Sequence, residues 1–254
     1  MSAASGVHDA RKRVKKLRAA LRLVRAGFDR AAAEGAALRD AAQGLSGARD
    51  AEVMLAVFDR IALPGEAPDV RAHLAARVTA GQDSGAAFAD FLAAIAPVRE
   101  RARSWTVKGK TARVLATGLA RTRARGQQAM TQAVRAGPES EAMHDWRKRV
   151  KDLWYQARLF QPVWPAAMDP LVISADDLGE MLGDHHDLVV FRALMSGLEP
   201  ALHGQTDPLR ARALDQMTAI DTAARPLSAR LLAGRPDAIA AQWVDWWRLW
   251  RRQG

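Results

Sequence analysis

The sequence predicts an all-α protein, and three observations support this. Alanine, leucine and arginine, which favour helices, dominate the chain, whereas runs of β-branched residues are scarce. Apolar residues recur at steps of three and four, which is the spacing of one helix face. Proline and glycine interrupt this pattern at only a few places. With 254 residues, 49% of them hydrophobic, the chain can bury one large core or two modest ones.

The predicted helices follow one another along the whole chain. They cover residues 7–34, 37–62, 69–80, 85–103, 110–136, 139–161, 168–199, 206–223 and 236–252. Breaks are expected where proline and glycine interrupt the pattern, because both weaken or end a helix. These breaks are Pro64-Gly65, Gly81 to Gly85, Gly137-Pro138, Pro162 to Pro165, Pro208 and Pro236.

The absence of cysteine excludes disulfides and thiolate zinc sites, and it fits a reducing compartment. Residues 1–6 are small and polar, unlike an export signal, and no apolar run approaches the roughly 18 residues that a membrane span needs. We therefore expect a soluble, cytoplasmic protein that does not bind membranes.

The net charge of +10, from 38 Lys and Arg against 28 Asp and Glu, predicts attraction to polyanions. Nucleic acid, anionic membrane and inorganic phosphate polymers all qualify, and so does the simpler interpretation of a solvated basic surface. Net charge alone does not separate these interpretations, so the placement of the cations must decide.

The chain contains an internal repeat. Residues 7–15 return as residues 143–151 at a constant offset of 136, and both segments contain His-Asp-x-Arg-Lys-Arg-Val-Lys. Residues 45–50 are echoed by residues 182–187 at an offset of 137. The sequence therefore predicts two duplicated halves, residues 1–105 and 106–254.

Each repeat places cations along one side of a helix, at steps of three and four residues. The first basic ridge consists of His8, Arg11, Lys15, Arg18, Arg22 and Arg25. The second basic ridge consists of His144, Arg147, Lys151 and Arg158, and Trp154 interrupts it. Like charges at this spacing cost about 0.2–0.5 kcal/mol per pair, so we expect an anionic ligand to offset the repulsion. A solvated charged face is the alternative, but its duplication at the same helical phase favours a ligand.

These motifs resemble those of the CHAD family, the conserved histidine α-helical domain. Each half of that family carries a His-x-x-Arg-x-x-x-Lys/Arg helix and a later Leu-Gly-x-x-Arg/Asn-Asp segment. Residues 118–126 form a third element similar to the family. The resemblance implies two pseudo-symmetric helical bundles around a basic channel that binds inorganic polyphosphate, with association to polyphosphate granules.

The resemblance assigns the channel to His8, Arg11, Lys15 and Arg18 in the first half, and to His144, Arg147 and Lys151 in the second. Helical phasing and the third element add Arg22, Arg25, Arg121, Arg125 and Arg158. The sequence also departs from the family. Only seven residues precede His8, so the first bundle is expected to lack its N-terminal helix. His186 stands where the first repeat has Arg49, and Trp154 removes one cation.

No metal, cofactor or catalytic residue is expected. Asp50 and Asp187 are interpreted as ion-pair partners that orient cations. Adjacent His185 and His186 diverge by about 100° on a helix, so they do not easily share one metal ion. The tryptophans at 243, 246, 247 and 250 are interpreted as core packing of the last helix.

Two other functions remain open. A nucleic-acid-binding protein is supported by net charge, although few aromatics accompany the basic ridges for base stacking. A histidine phosphotransfer protein is the second, because a helical bundle can present a reactive histidine beside a cation. We expect a polyphosphate-binding module that is not an enzyme.

Overall fold

The structure is a computed structural model that describes residues 3–45, 47–80 and 84–253. Within these ranges it contains α-helices and short 3₁₀ turns and no strand, which confirms the all-α class. The helices are α1 (Ala3–Val24), α2 (Ala31–Ala41), α3 (Gly47–Ile61), α4 (Pro68–Ala80), α5 (Ser84–Ala102), α6 (Thr111–Ala136), α7 (Glu141–Phe160), α8 (Pro165–Ser196), α9 (His203–Leu231) and α10 (Pro236–Gln253). The 3₁₀ turns are Gln43–Leu45, Gln161–Val163 and Pro200–Leu202.

The predicted helix 7–34 is wrong in its extent, because α1 ends at Val24. The following turn packs directly against the chain that leads into α6. The carbonyl of Gly27 accepts a hydrogen bond from the Lys108 amide at 2.7 Å. A Cβ atom at Gly27 would lie 2.4 Å from the Lys108 carbonyl oxygen, so this contact requires glycine. The close approach turns the chain, and α2 begins at Ala31.

The predicted helix 37–62 is also wrong, because the chain forms α2 and α3 with a 3₁₀ turn between them. Gly44 and Gly47 lower helix propensity at this point. Leu45 is buried in the core formed with α1 and α5, which holds the turn in place. In the second half, by contrast, the matching residues belong to the continuous helix α8.

The predicted break at Pro208 and the predicted helix 206–223 are wrong, because α9 runs through both Pro208 and Pro226. A proline in a helix interior costs about 3 kcal/mol. Leu209 and Met217 of α9 are almost fully buried, and each such side chain contributes about 1.5–3 kcal/mol. Packing of α9 against its neighbours therefore offsets the cost of the prolines.

Among the described residues, three hydrophobic cores hold the helices together. The first joins α1, α2 and α5 around Leu21 and Leu38. The second joins α3 and α4 to α8 and α9 around Phe58 and Phe191. The second core therefore contains helices from both sides of the proposed division between residues 105 and 106, and that division stays a prediction.

The third core contains residues of α6, α7, α8, α9 and α10 around the buried Trp146 of α7. Trp243 is buried in it, and Trp246 and Trp247 pack against it, which confirms the predicted core packing of these three. Trp250 is 45% exposed, so for this residue the prediction is wrong. The reason is that the last turn of α10 extends beyond the core, since Leu249 is also exposed.

Helices α1 and α6 cross at Gly118, which lies in the segment 118–126. A Cβ atom there would lie 1.9 Å from the backbone carbonyl oxygen of Leu23, so only glycine allows this approach. Leu23 belongs to the third core, and α1 is thereby attached to both the first and the third core. None of the described helices is long and apolar enough to cross a bilayer.

Candidate functional site

Positive charge is concentrated on three helices that pack against one another. Helix α1 carries seven Lys and Arg residues and one acidic residue. Helix α6 carries five Lys and Arg residues and no acidic residue, and α7 carries five and three. The net charge of the three helices is therefore +13, which exceeds the +10 of the whole chain. The remaining chain is slightly acidic. Packing so many cations on adjoining helices generates a strong local positive potential.

A buried carboxylate lies where these three helices meet. Asp152 of α7 accepts a hydrogen bond from the Arg22 guanidinium of α1, with 2.7 Å between Nη1 and Oδ1. Nη1 of Arg149 lies 3.1 Å from Oδ2 of Asp152, an ion pair too oblique for a hydrogen bond. Arg18 of α1 and Arg125 of α6 act on the same carboxylate electrostatically. We call these five residues the Asp152 cluster.

The Asp152 cluster has more positive charge than its carboxylate can neutralise. Burial lowers the pKa of Arg18, and the neighbouring Arg22 lowers it further. Burial also lowers the pKa of Arg22, although Asp152 opposes this change. Burial raises the pKa of Asp152, against the effect of the surrounding guanidiniums. An additional anion near Arg18 and Arg125 would relieve this imbalance.

The second basic ridge faces α8, where Gly179 makes room for Lys151 and Gly183 lies beside Arg147. A Cβ atom at Gly179 would lie 2.7 Å from Cε of Lys151. A Cβ atom at Gly183 would lie 3.8 Å from Nε of Arg147. Nζ of Lys151 also lies 3.3 Å from Oδ1 of Asp176 on α8. The small residues of α8 thus allow the cations to lie close to its backbone.

The histidine of the second ridge stacks on another histidine. The rings of His144 and His186 are 4.5 Å apart between centroids, with 28° between their planes. Nδ1 of His144 and Nε of Arg147 are buried and have no hydrogen-bond partner among the described residues. Burial, and then Lys148 and Arg147, lower the pKa of His144. Burial is also the main cause that lowers the pKa of His186 to about 4. Both rings are therefore neutral at pH 7.

Trp154 links two cations of the second ridge. Nζ of Lys151 lies 4.9 Å from the centroid of its ring, and Cζ of Arg158 lies 5.1 Å from it. Both distances are within the range of a cation–π contact. Trp154 therefore stands where the first ridge has Arg18, as the sequence indicates. Its ring also holds Lys151 and Arg158 in place.

The first basic ridge divides between two environments. Arg11 donates a hydrogen bond from Nη1 to the carbonyl of Leu45 at 3.1 Å. Leu45 is the first residue of the segment 45–50, which matches residues 182–187 of α8. Arg147 lies beside that matching segment, so the two arginines have comparable positions. Lys15 is exposed, and Arg18 and Arg22 belong to the Asp152 cluster.

Four other predicted residues are placed as follows. Arg25 is exposed in the turn after Val24, so its predicted position on the helical ridge is wrong, because α1 ends before it. Arg121 and Arg125 are exposed on α6. The side chain of His8 lies outside the described part of the structure.

The predicted ion-pair role of Asp187 has support in the structure. Burial raises the pKa of Asp187, and Arg147 is the largest influence that lowers it. Arg60 of α3 lies 3.4 Å from Asp184, the residue before His185. Among the described residues, no group of three or more histidines and acids could hold a metal ion.

Sequence reasoning missed the roles of Asp152, Arg149 and His186. Asp152 lies at the position that matches Lys16 at the repeat offset of 136, and this reversal of charge is a signal that the sequence contains. His186 stands one helical turn after Leu182 in the matched segment, but its contact with His144 depends on how α7 and α8 pack.

Comparison with known proteins gives one match. The family model of the CHAD domain matches residues 2–196, which include both basic ridges and the segment of α8 that faces the second. Neither a curated protein nor a solved structure matches the chain.

Proposed function

Because the chain belongs to the CHAD domain family, we propose that it binds inorganic polyphosphate along the basic ridges of α1 and α7. The family is associated with polyphosphate binding in general. The observation that carries the proposal for this chain is the net charge of +13 on α1, α6 and α7. Within the described part of these helices, Asp152 is the one acidic residue that is buried.

The spacing of the cations suits an extended anion. From His144 to Arg158, the second ridge covers about 21 Å at about 1.5 Å per residue. Polyphosphate has about one negative charge per phosphate and no bases, so its recognition depends on charge and on hydrogen bonds to phosphate oxygens. Arginine offers forked donors and lysine a compact charge, and both types occur on each ridge.

The contacts of Trp154 favour polyphosphate over nucleic acid. Proteins that bind single strands usually offer aromatic rings on which bases stack. The ring of Trp154 is already in contact with Lys151 and Arg158, and it packs partly against the third core. The second ridge therefore offers bases little aromatic surface.

The surroundings of His144 favour binding over phosphotransfer. A phosphate-accepting histidine needs a ring nitrogen that a donor can reach. Nδ1 of His144 is buried, and one face of its ring is covered by His186. We therefore propose a binding module, not an enzyme, whose ligand would place the chain on polyphosphate granules.

A competition experiment tests the proposal. Long-chain polyphosphate, tripolyphosphate and DNA are compared as competitors for a labelled polyphosphate at one salt concentration. Long-chain polyphosphate should compete best, and the logarithm of its affinity should fall linearly with the logarithm of the salt concentration. DNA that competes equally well, or an affinity that does not change with salt, would contradict the proposal. Acid-labile phosphate on His144 after exposure to a phosphodonor would make the protein a phosphocarrier instead.

A further inference from the structure

The stacked histidines form a pair that lies among other charged and titratable groups. On α7, Glu141, Asp145, Arg147 and Lys148 act on His144. On α8, His185 is adjacent to His186 and is itself buried beside Asp221 of α9. Asp187, the next residue of α8, is influenced by Arg147 of α7 and by Arg60 and Asp50 of α3. The cations Arg147 and Lys148 act on both rings of the pair.

This arrangement keeps the pair neutral when no anion is present. A proton on either ring would lie close to Arg147 and Lys148 and would lose part of its hydration, because both rings are partly buried. Nδ1 of His144 is buried and makes no hydrogen bond in the described structure. Protonation of the pair is therefore opposed first by burial and then by Arg147 and Lys148.

We infer that His144 and His186 take up protons when a polyphosphate chain binds beside Arg147, and that His186 is a binding residue of the second ridge. This inference rests on the proposed function. Phosphate oxygens beside the rings would neutralise Arg147 and Lys148, and their negative charge would offset the cost of protonating two partly buried rings. A protonated histidine would then donate a charge-assisted hydrogen bond to the phosphate.

The repeat predicted from the sequence also favours a binding role for His186. The matching position there is Arg49, which is a permanent cation. In the second repeat the same position has a group whose charge can change. The two halves would thus bind the same polyanion with different dependence on pH.

Proton uptake can be measured directly. Titration calorimetry with long-chain polyphosphate, in buffers of different ionisation enthalpy, gives the number of protons taken up on binding. The internal phosphates of such a chain stay ionised near neutral pH, so they contribute no proton. At about pH 6.5 we expect uptake of about one proton per protein. With an uptake of one proton, the affinity for polyphosphate should rise about tenfold for each unit by which the pH falls.

Two substitutions of one residue separate charge from proton uptake. His186→Arg should keep affinity and lower the proton uptake, because its charge is permanent. His186→Gln should lower both. The exposed His73 on α4 supplies the control, and His73→Gln should change neither quantity. Unchanged uptake in His186→Arg would overturn the inference.

The wild-type protein gives a further measurement that does not depend on the variants. In NMR titrations, the ring signals of His144 and His186 should titrate at higher pH with polyphosphate than without it. Binding without uptake, or without this change, would overturn only the present inference. If long-chain polyphosphate does not bind the wild-type chain at all, the proposed function fails as well.

Discussion

Arg22 of α1 donates a hydrogen bond to Asp152 of α7 at 2.7 Å, across 130 residues of sequence. The pair connects the two helices that carry the basic ridges. The side chain of Asp152 is 8% exposed and that of Arg22 is 30% exposed, so solvent screens this pair less than an ion pair on the surface. Asp152 therefore holds cations of α1 and α7 close together.

Asp152→Asn should destabilise the fold by about 2 kcal/mol, measured by urea denaturation. The substitution keeps the shape of the side chain but leaves Arg22 without its counterion and leaves Arg149 with Asp145, 3.7 Å away. Asp245→Asn is the matched control, because Asp245 and Arg248 are also 2.7 Å apart but both are exposed. It should cost less than about 1 kcal/mol. Equal losses would show that burial of Asp152 contributes little.

The all-α class and the second basic ridge could be predicted from sequence, because helix propensity and the spacing of cations depend on residues close together in the chain. Asp152 and His186 could not be assigned roles, because their partners lie on other helices and the packing angle decides which side chains meet. The end of α1 depended on the contact of Gly27 with Lys108, and Pro208 was accommodated by packing of α9. The two pseudo-symmetric bundles stay a prediction.

Gly118→Ala should destabilise the fold by about 3 kcal/mol or more, because the new Cβ would lie 1.9 Å from the Leu23 carbonyl oxygen. Relief requires α1 and α6 to move apart, since the obstacle is backbone. Gly35→Ala in α2 is the control, because a Cβ atom there meets no described atom within 4 Å. This control should be neutral or more stable by up to about 1 kcal/mol. Thermal unfolding that ranks the two variants in the opposite order would contradict the observed crossing.

Charge reversal on the ridges should weaken polyphosphate binding far more than the same reversal on α10. We expect Arg11→Glu with Arg147→Glu to lower affinity by about a hundredfold or more, since each lost charged contact is worth about 1.5–3 kcal/mol. Arg251→Glu with Arg252→Glu changes the net charge equally, and both residues are exposed near the end of α10. Fluorescence anisotropy at one salt concentration compares the two variants. Equal losses would mean that net charge alone attracts the ligand.

The last prediction concerns stability and pH. The pKa of His186 is lowered to about 4 in the folded chain, chiefly by burial, and the ordinary value is 6.5. The unfolded state therefore binds more protons than the folded state between these values. The free energy of unfolding is therefore unaffected by His186 above about pH 6.5. It falls progressively as the pH drops toward 4, by at most about 3 kcal/mol for this residue.

His144 and His185 should contribute in the same direction, because burial is the first cause that lowers the pKa of each. Burial raises the pKa of Asp187, and this group opposes the trend once the pH approaches the range in which carboxyls titrate. Urea denaturation between about pH 7.5 and 5.5 therefore isolates the histidines. The free energy of unfolding should fall with acidification in this window. His186→Gln should reduce the slope, whereas the exposed His73→Gln should leave it unchanged. A slope that His186→Gln does not alter would show that this histidine is as readily protonated in the folded chain as in the unfolded one.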